Sequence, residues 1–194
     1  MRRICVYAGS SPGRDPAYAR AASELATLLA GRGTGVVYGG GKVGLMGILA
    51  DSALAAGGEV IGVIPQALMD REIGHDGLTE LRVVGSMHER KALMADLSDG
   101  FVALPGGAGT LEELIEIYTW SQLGLHRKPM GVLNVRDYYD PLAAMLDHAV
   151  QERFLTQEHR ATLIVERQTG ALLERLRAFE PGAVAPKWID REET

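Results

Sequence analysis

The chain has 194 residues, 46% of them hydrophobic and 23% charged, which is the balance of an ordinary globular protein long enough to bury one core. Its net charge of −5, from 20 basic and 25 acidic residues, argues against the broad basic face of a general DNA or RNA binder. No apolar run reaches the ~18 residues of a bilayer span, and the single cysteine, Cys5, excludes an internal disulfide and cannot make a metal site alone. No membrane partner and no nucleic-acid partner are expected, and a cytoplasmic protein is.

In chain order, MRRICVYAGSS begins with two arginines, but its apolar stretch Ile4–Ala8 is too short for a signal-peptide core and reads as a first strand, with Cys5 buried in it. Pro16–Ala30 is periodic in the manner of a helix, GVVYG (35–39) of a strand, Leu45–Ala56 of a helix and EVIGVIP (59–65) of a strand. ELRVV (80–84) and GFVALP (100–105) are further strands around a helix at Met87–Ser98. Thr110–Leu123, MGVLNV (130–135), Pro141–Glu152, TLIVE (162–166) and Gly170–Phe179 then alternate helix and strand to the end. Strands that are apolar throughout and are joined by helices predict a parallel sheet covered on both faces: a Rossmann-like, doubly wound α/β fold. One such domain is expected over residues 1–180, with GAVAPKWIDREET at the end of a tail, 181–194. Ligands in these sheets bind beyond the carboxyl ends of the strands. Attention falls on the loops at Gly9–Gly13, Gly39–Gly44, Pro65–Asp76 and Pro105–Gly109.

Two of these loops compete as nucleotide sites. YGGGKVGLMG (38–47) contains G-x-G-x-x-G at Gly39, Gly41 and Gly44. Dinucleotide binding also needs an acid at the end of the following strand, to hold the ribose. Here that strand ends in GVIPQ, so NAD and FAD are not supported and a tight turn near a smaller ligand fits better. No G-x-x-x-x-G-K-[ST] occurs, so no P-loop ATPase is expected. The second loop is ALPGGAGTLEEL (103–114). Bare backbone amides at a helix start attract a phosphate, yet Glu112 and Glu113 follow at once. Thr110 and Glu113 have the S/T-x-x-E spacing of a capping box, and acids suit the first turn of a helix, so a purely structural role stays open for the glutamates. The packing of Gly106, Gly107 and Gly109 before them is more than a cap requires. Arg90 and Lys91 lie one strand earlier and can approach the same sheet edge.

LPGGAGTLEEL resembles the PGGxGTxxE signature of the Lonely Guy family, cytokinin-activating nucleotide phosphoribohydrolases once labelled lysine decarboxylases. CVYAGSS, YGGGKVGLMG, VIP followed by REIGH, and MHERK support the resemblance in order over residues 4 to 166. It implies that Arg90 and Glu113 are the catalytic pair. It places substrate contacts at Glu72, Arg90, Lys91, the run Gly106, Gly107, Ala108, Gly109, Thr110, Leu111, Glu112 and Glu113, and Thr119. Ser10, Gly41, Met46 and His88 are further candidate contacts. Ala108 departs from relatives that carry a larger residue there, which would widen the pocket mouth. The resemblance further implies a homodimer with its sites near the contact, and no cofactor.

The glycines would hold the 5′-phosphate of a nucleoside monophosphate while a carboxylate just beyond reaches the anomeric carbon, where bond cleavage builds positive charge. Glu113 would stabilise that charge or activate water, Arg90 would keep it ionised, and Glu112 would meet ribose hydroxyls. Lysine decarboxylation would need a Schiff-base lysine for pyridoxal phosphate. Of Lys42, Lys91, Lys128 and Lys187 only Lys91 lies beside the expected site, and a phosphate or carboxylate partner suits it better. The five histidines, His75 and His88 among them, show no ligand spacing, so no metal is implied. A non-catalytic nucleotide-binding or regulatory protein is the alternative. The apolar set Leu111, Leu114, Ile115, Tyr118 and Leu123 on one helix predicts the dimer face.

Overall fold

The computed structural model describes residues 1–69 and 74–181. Among the described residues seven strands form one parallel sheet: β1 (Arg3–Tyr7), β2 (Gly35–Tyr38), β3 (Val60–Pro65), β4 (Glu80–Val84), β5 (Gly100–Ala103), β6 (Met130–Leu133) and β7 (Leu163–Glu166). Their order is β4-β3-β2-β1-β5-β6-β7. The doubly wound α/β fold expected from the alternating pattern is therefore the observed one.

Alternation along β1 sorts the two helical layers. Ile4 and Val6 face the core built with α1 (Pro16–Gly31), α2 (Gly44–Ala55) and α8 (Thr169–Arg177). Cys5 and Tyr7 face the core built with α4 (Met87–Asp96) and α5 (Ala108–Gln122). Cys5 is fully buried there, as a small hydrophobe. Three short elements escape the sequence pattern: α3 (Gln66–Met69), a 3₁₀ turn (Val135–Asp137) that precedes α6 (Asp140–Gln151), and α7 (Gln157–Ala161). They are too brief to display a helical period; α7 is marked only by its cap, Thr156, whose hydroxyl accepts from the His159 amide at 3.2 Å.

β1 pairs with β2 on one side and β5 on the other. The helix that follows β1 packs on one face of the sheet and the helix that follows β5 on the opposite face. The two connections diverge, and the crevice between them opens at the carboxyl ends of β1 and β5, where such folds bind ligands.

Candidate active site

The loops leaving β1 and β5 touch at the floor of this crevice. The Gly9 amide donates to the Pro105 carbonyl at 3.3 Å. A side chain on Gly9 would approach the Gly106 Cα to 3.1 Å, so the backbones themselves make the contact. The Gly9 carbonyl in turn accepts from the amides of Leu45 (3.0 Å) and Met46 (3.4 Å). Those are first-turn donors of α2, and the loop after β1 occupies them. Gly44 sits at φ +62°, and a Cβ there would lie 2.3 Å from the Ser10 carbonyl carbon. The G-x-G-x-x-G segment thus seats α2 on its neighbour.

The start of α5 is different. Its N-cap is Gly107, which has no side chain to cap with. Leu111 completes the first regular bond, its amide donating to the Gly107 carbonyl at 3.1 Å. None of the hydrogen bonds among the described residues engages the amides of Ala108, Gly109 or Thr110. Unengaged first-turn donors at the positive end of a helix form an anion cradle. The capping box read from Thr110 and Glu113 does not form. Thr110 is buried in the first turn with its hydroxyl against Gly106, where any Cβ would meet it at 2.1 Å. The same S-x-x-E spacing does cap a helix at α4: Ser86 accepts from the Glu89 amide at 3.1 Å, and Glu89 accepts from the Gly85 amide at 2.8 Å.

Glu113 lies one turn beyond the cradle, ~5.4 Å along the helix, with its side chain 13% exposed. Arg90, from the first turns of α4, stands opposite with Nη2 at 3.8 Å from Glu113 Oε1. That separation is a charge contact without a hydrogen bond. The guanidinium is instead fixed by carbonyls, Nε donating to Val63 at 3.1 Å and Nη2 to Gly39 at 3.3 Å. A Cβ on Gly39 would fall 1.9 Å from Arg90 Nη2, so this glycine exists to admit the arginine. Arg90 does not keep the carboxyl in the ordinary acidic range. Burial pushes Glu113 up to about 7, outweighing the downward pull of Arg90, and the neighbouring Glu112 adds to the rise. Desolvation wins because the guanidinium makes no direct hydrogen bond to the carboxylate.

These groups line a cavity of about 260 Å³. Of the expected contacts, Gly107, Ala108, Gly109, Thr110, Glu112, Glu113, Arg90, Ser10 and Met46 border it; Ala8, Gly9 and Met87 also do, which the motifs did not single out. Gly106, Leu111, Lys91, Thr119, Gly41 and His88 do not. Lys91 is held by Glu112 (2.6 Å) and Glu116 (2.8 Å). Thr119 is exposed further along α5, Gly41 bridges to Gly74, and His88 is exposed. Glu72 lies outside the described residues. His75 is buried, with Nε2 2.8 Å from Asp51 Oδ1 and Nδ1 accepting from the Gly77 amide. A larger hollow of about 510 Å³ near Trp120 and Arg127 contains none of these groups; chemistry, not size, marks the candidate site.

A family model described as "Possible lysine decarboxylase" matches residues 46–176. The chain is 49% identical over 181 residues to the cytokinin riboside 5′-monophosphate phosphoribohydrolase LOG of Oryza sativa subsp. japonica, an alignment covering 93% of this chain and 75% of that protein. It is 47% identical over 181 residues to a cytokinin riboside 5′-monophosphate phosphoribohydrolase of Arabidopsis thaliana, covering 93% and 83%. The chain belongs to the Lonely Guy family. Among solved structures, the molybdenum cofactor carrier protein of Chlamydomonas reinhardtii superposes with a TM-score of 0.69 at 22% identity, covering 92% of this chain and 99% of that one, a likeness of fold alone.

The motifs of the Lonely Guy family converge on one crevice: PGGxGTxxE supplies the cradle and Glu113, MHERK supplies Arg90, and the loop after CVYAG supplies the floor. The decarboxylase description of the family model does not fit these side chains. Among the described residues no lysine borders the cavity, and Lys91 is committed to two carboxylates. The expected dimer face also needs correction. Leu114 and Tyr118 are buried in the chain's own core and Leu111 and Leu123 are half-buried, leaving Ile115 as the exposed member of that set.

Proposed function

We propose that this chain hydrolyses the N-glycosidic bond of adenosine-type nucleoside 5′-monophosphates, both AMP and N6-substituted forms such as isopentenyl-AMP. The products are the free base, an active cytokinin where the base is N6-substituted, and ribose 5-phosphate. The observation that carries this function is the spacing within one helix: unengaged amides at Ala108–Thr110, and a buried carboxyl one turn on. The amides hold the phosphate dianion. Ribose then spans the turn and brings its anomeric carbon to Glu113. As the C1′–N9 bond breaks, the ionised Glu113 stabilises the oxocarbenium-like sugar and takes a proton from the attacking water, whose oxygen bonds to C1′. The departing nitrogen takes up a proton to give the neutral base. A carboxyl near 7 is well placed for such a base at neutral pH.

Glu112 borders the cavity where ribose hydroxyls would lie. Lys91, Thr119 and Glu72 carry over from the family motif as substrate contacts. Lys91 would release Glu112 or Glu116 on binding, and Thr119 would act from a subunit contact. A cytoplasmic homodimer accords with this, its contact drawing on exposed apolar side chains such as Met87, which borders the cavity, and Ile115 on α5. A monomeric mass in light scattering at micromolar concentration would contradict the dimer.

Substrate form tests the function. AMP and isopentenyl-AMP should be cleaved to free base, seen by chromatography, while adenosine is scarcely touched and ATP is poor because the cradle is one helical turn. Equal rates with adenosine and AMP would refute the phosphate assignment. Tight AMP binding without any base released would instead identify a nucleotide-binding protein.

A further inference from the structure

We infer that Tyr138 and Tyr139 are positioning residues that set the polarity of the anion cradle. This rests on the proposed phosphate site at the start of α5. Every carbonyl of the loop that leads into the cradle is engaged. Leu104 O accepts from the Tyr139 hydroxyl at 2.7 Å, and Gly106 O accepts from the Tyr138 hydroxyl. Pro105 O accepts from the Gly9 amide, and Gly107 O accepts from the Leu111 amide. The amides that follow are unengaged. The loop therefore directs its acceptors away from the cavity and leaves its donors for the ligand. An uncommitted carbonyl could turn toward a bound phosphate and repel it.

The two tyrosines belong to a turn built to deliver them. Arg136 (φ 52°) and Asp137 (φ 60°) both occupy the left-handed region without being glycine, a conformation that persists only where its surroundings enforce it. Several contacts enforce it here. Buried Asn134 donates to Asp140 at 2.6 Å and accepts from the Tyr139 amide at 2.7 Å. Arg167 donates to Asp137 at 2.6 Å, and Arg136 pairs with Asp15 at 3.2 Å. Burial raises the Tyr139 phenol, which holds it as a proton donor. Tyr138 is braced edge-on between the rings of Tyr18 and Tyr139. Neither hydroxyl borders the cavity, so neither touches substrate.

Tyr138 is 39% exposed, so Tyr138→Phe removes the hydroxyl without opening the core. Loss of one neutral hydrogen bond predicts a 3- to 10-fold rise, as an order of magnitude, in both the KM for AMP and the inhibition constant of ribose 5-phosphate. The kcat should stay within about twofold, and inhibition by adenine, which has no phosphate, should not change. A merely structural role would weaken adenine and ribose 5-phosphate alike, and that outcome overturns the inference. So does a folded variant whose constants for both phosphate-bearing ligands match the native protein. Failure of the native protein itself to bind ribose 5-phosphate would instead bring down the phosphate site, and the tyrosine role with it.

Discussion

Two glycine-rich loops each lead from a strand into a helix, at the ends of β2 and β5, and they do opposite things. At the first, the amides of Leu45 and Met46 are occupied by the Gly9 carbonyl, and Gly44 is glycine because α2 must press against Ser10. At the second, the amides of Ala108, Gly109 and Thr110 are unengaged and border the cavity. Glycine richness alone therefore does not make an anion site. What decides is whether the first-turn donors already have partners, and that depends on which neighbouring loop lies across the helix start. The first loop still serves the site indirectly, since its Gly39 admits and hydrogen-bonds Arg90.

The sharpest way to break this comparison is to remove the charge that distinguishes the second helix. Glu113→Gln keeps the shape, and the helix start survives because Gly107, not Glu113, marks it. The kcat on AMP should fall ~10²-fold or more, while AMP binding, followed by calorimetry, persists. Near-native turnover in a folded variant that binds AMP would end the mechanism.

Next come the glycines themselves, where the effects should run against intuition. Gly39→Ala, in the loop without an anion site, places a Cβ 1.9 Å from Arg90 Nη2. It should displace the guanidinium and cut kcat/KM by ~10-fold or more, about what 1.4 kcal/mol of lost transition-state stabilisation represents. Gly109→Ala, in the cradle, meets nothing within 4 Å and has no left-handed φ to forbid it. Thermal unfolding should show it unchanged or stabilised by about 0.4–1 kcal/mol. Any rise in its KM then reports a ligand close to that amide. If Gly39→Ala is silent while Gly109→Ala unfolds the protein, the two loops have been assigned the wrong way round.

A smaller effect concerns pH. In the proposed mechanism the rate needs ionised Glu113, so kcat/KM should climb through about 7 and at pH 6 lie about tenfold below its plateau. Stability runs the other way. The folded carboxyl titrates near 7, above its ordinary 4.5, so the folded state holds the proton more tightly. That contribution is complete below 4.5 and is lost as pH rises through about 7. Chemical denaturation from pH 4.5 to 8 should show this slope in the native protein and a flatter one in Glu113→Gln. A rate that instead falls as pH rises through 7 would mean the protonated form is the active one.

The fold was legible because its evidence is local and repeated. Strands such as ICVYA and GVVYG are apolar through every position, which only a sheet covered on both faces tolerates. Short spans escaped for the opposite reason, since α7 has a cap but no period. In the site, SMHE (86–89) and TLEE (110–113) have one spacing and two outcomes. Glu89 is exposed and turns back to the Gly85 amide, while Glu113 is drawn under the crevice wall and faces Arg90. The spacing alone does not separate the two; the helix start does, falling at Ser86 in the first and at Gly107, three residues before Thr110, in the second.

The amino-acid pattern by itself determined the parallel α/β order, the burial of Cys5 and the position of the candidate anion cradle in the PGGAGT segment, because periodicity and glycine placement act within a few residues. The tertiary structure alone decided which helix start remained available to an anion, why Gly39 must be glycine, that Glu113 titrates near neutrality, and that Tyr138 and Tyr139 face the loop carbonyls. Each of these depends on groups brought together across the β1–β5 crevice from distant parts of the chain, and hydrogen-bond occupancy and desolvation are properties of such neighbours and not of the local sequence.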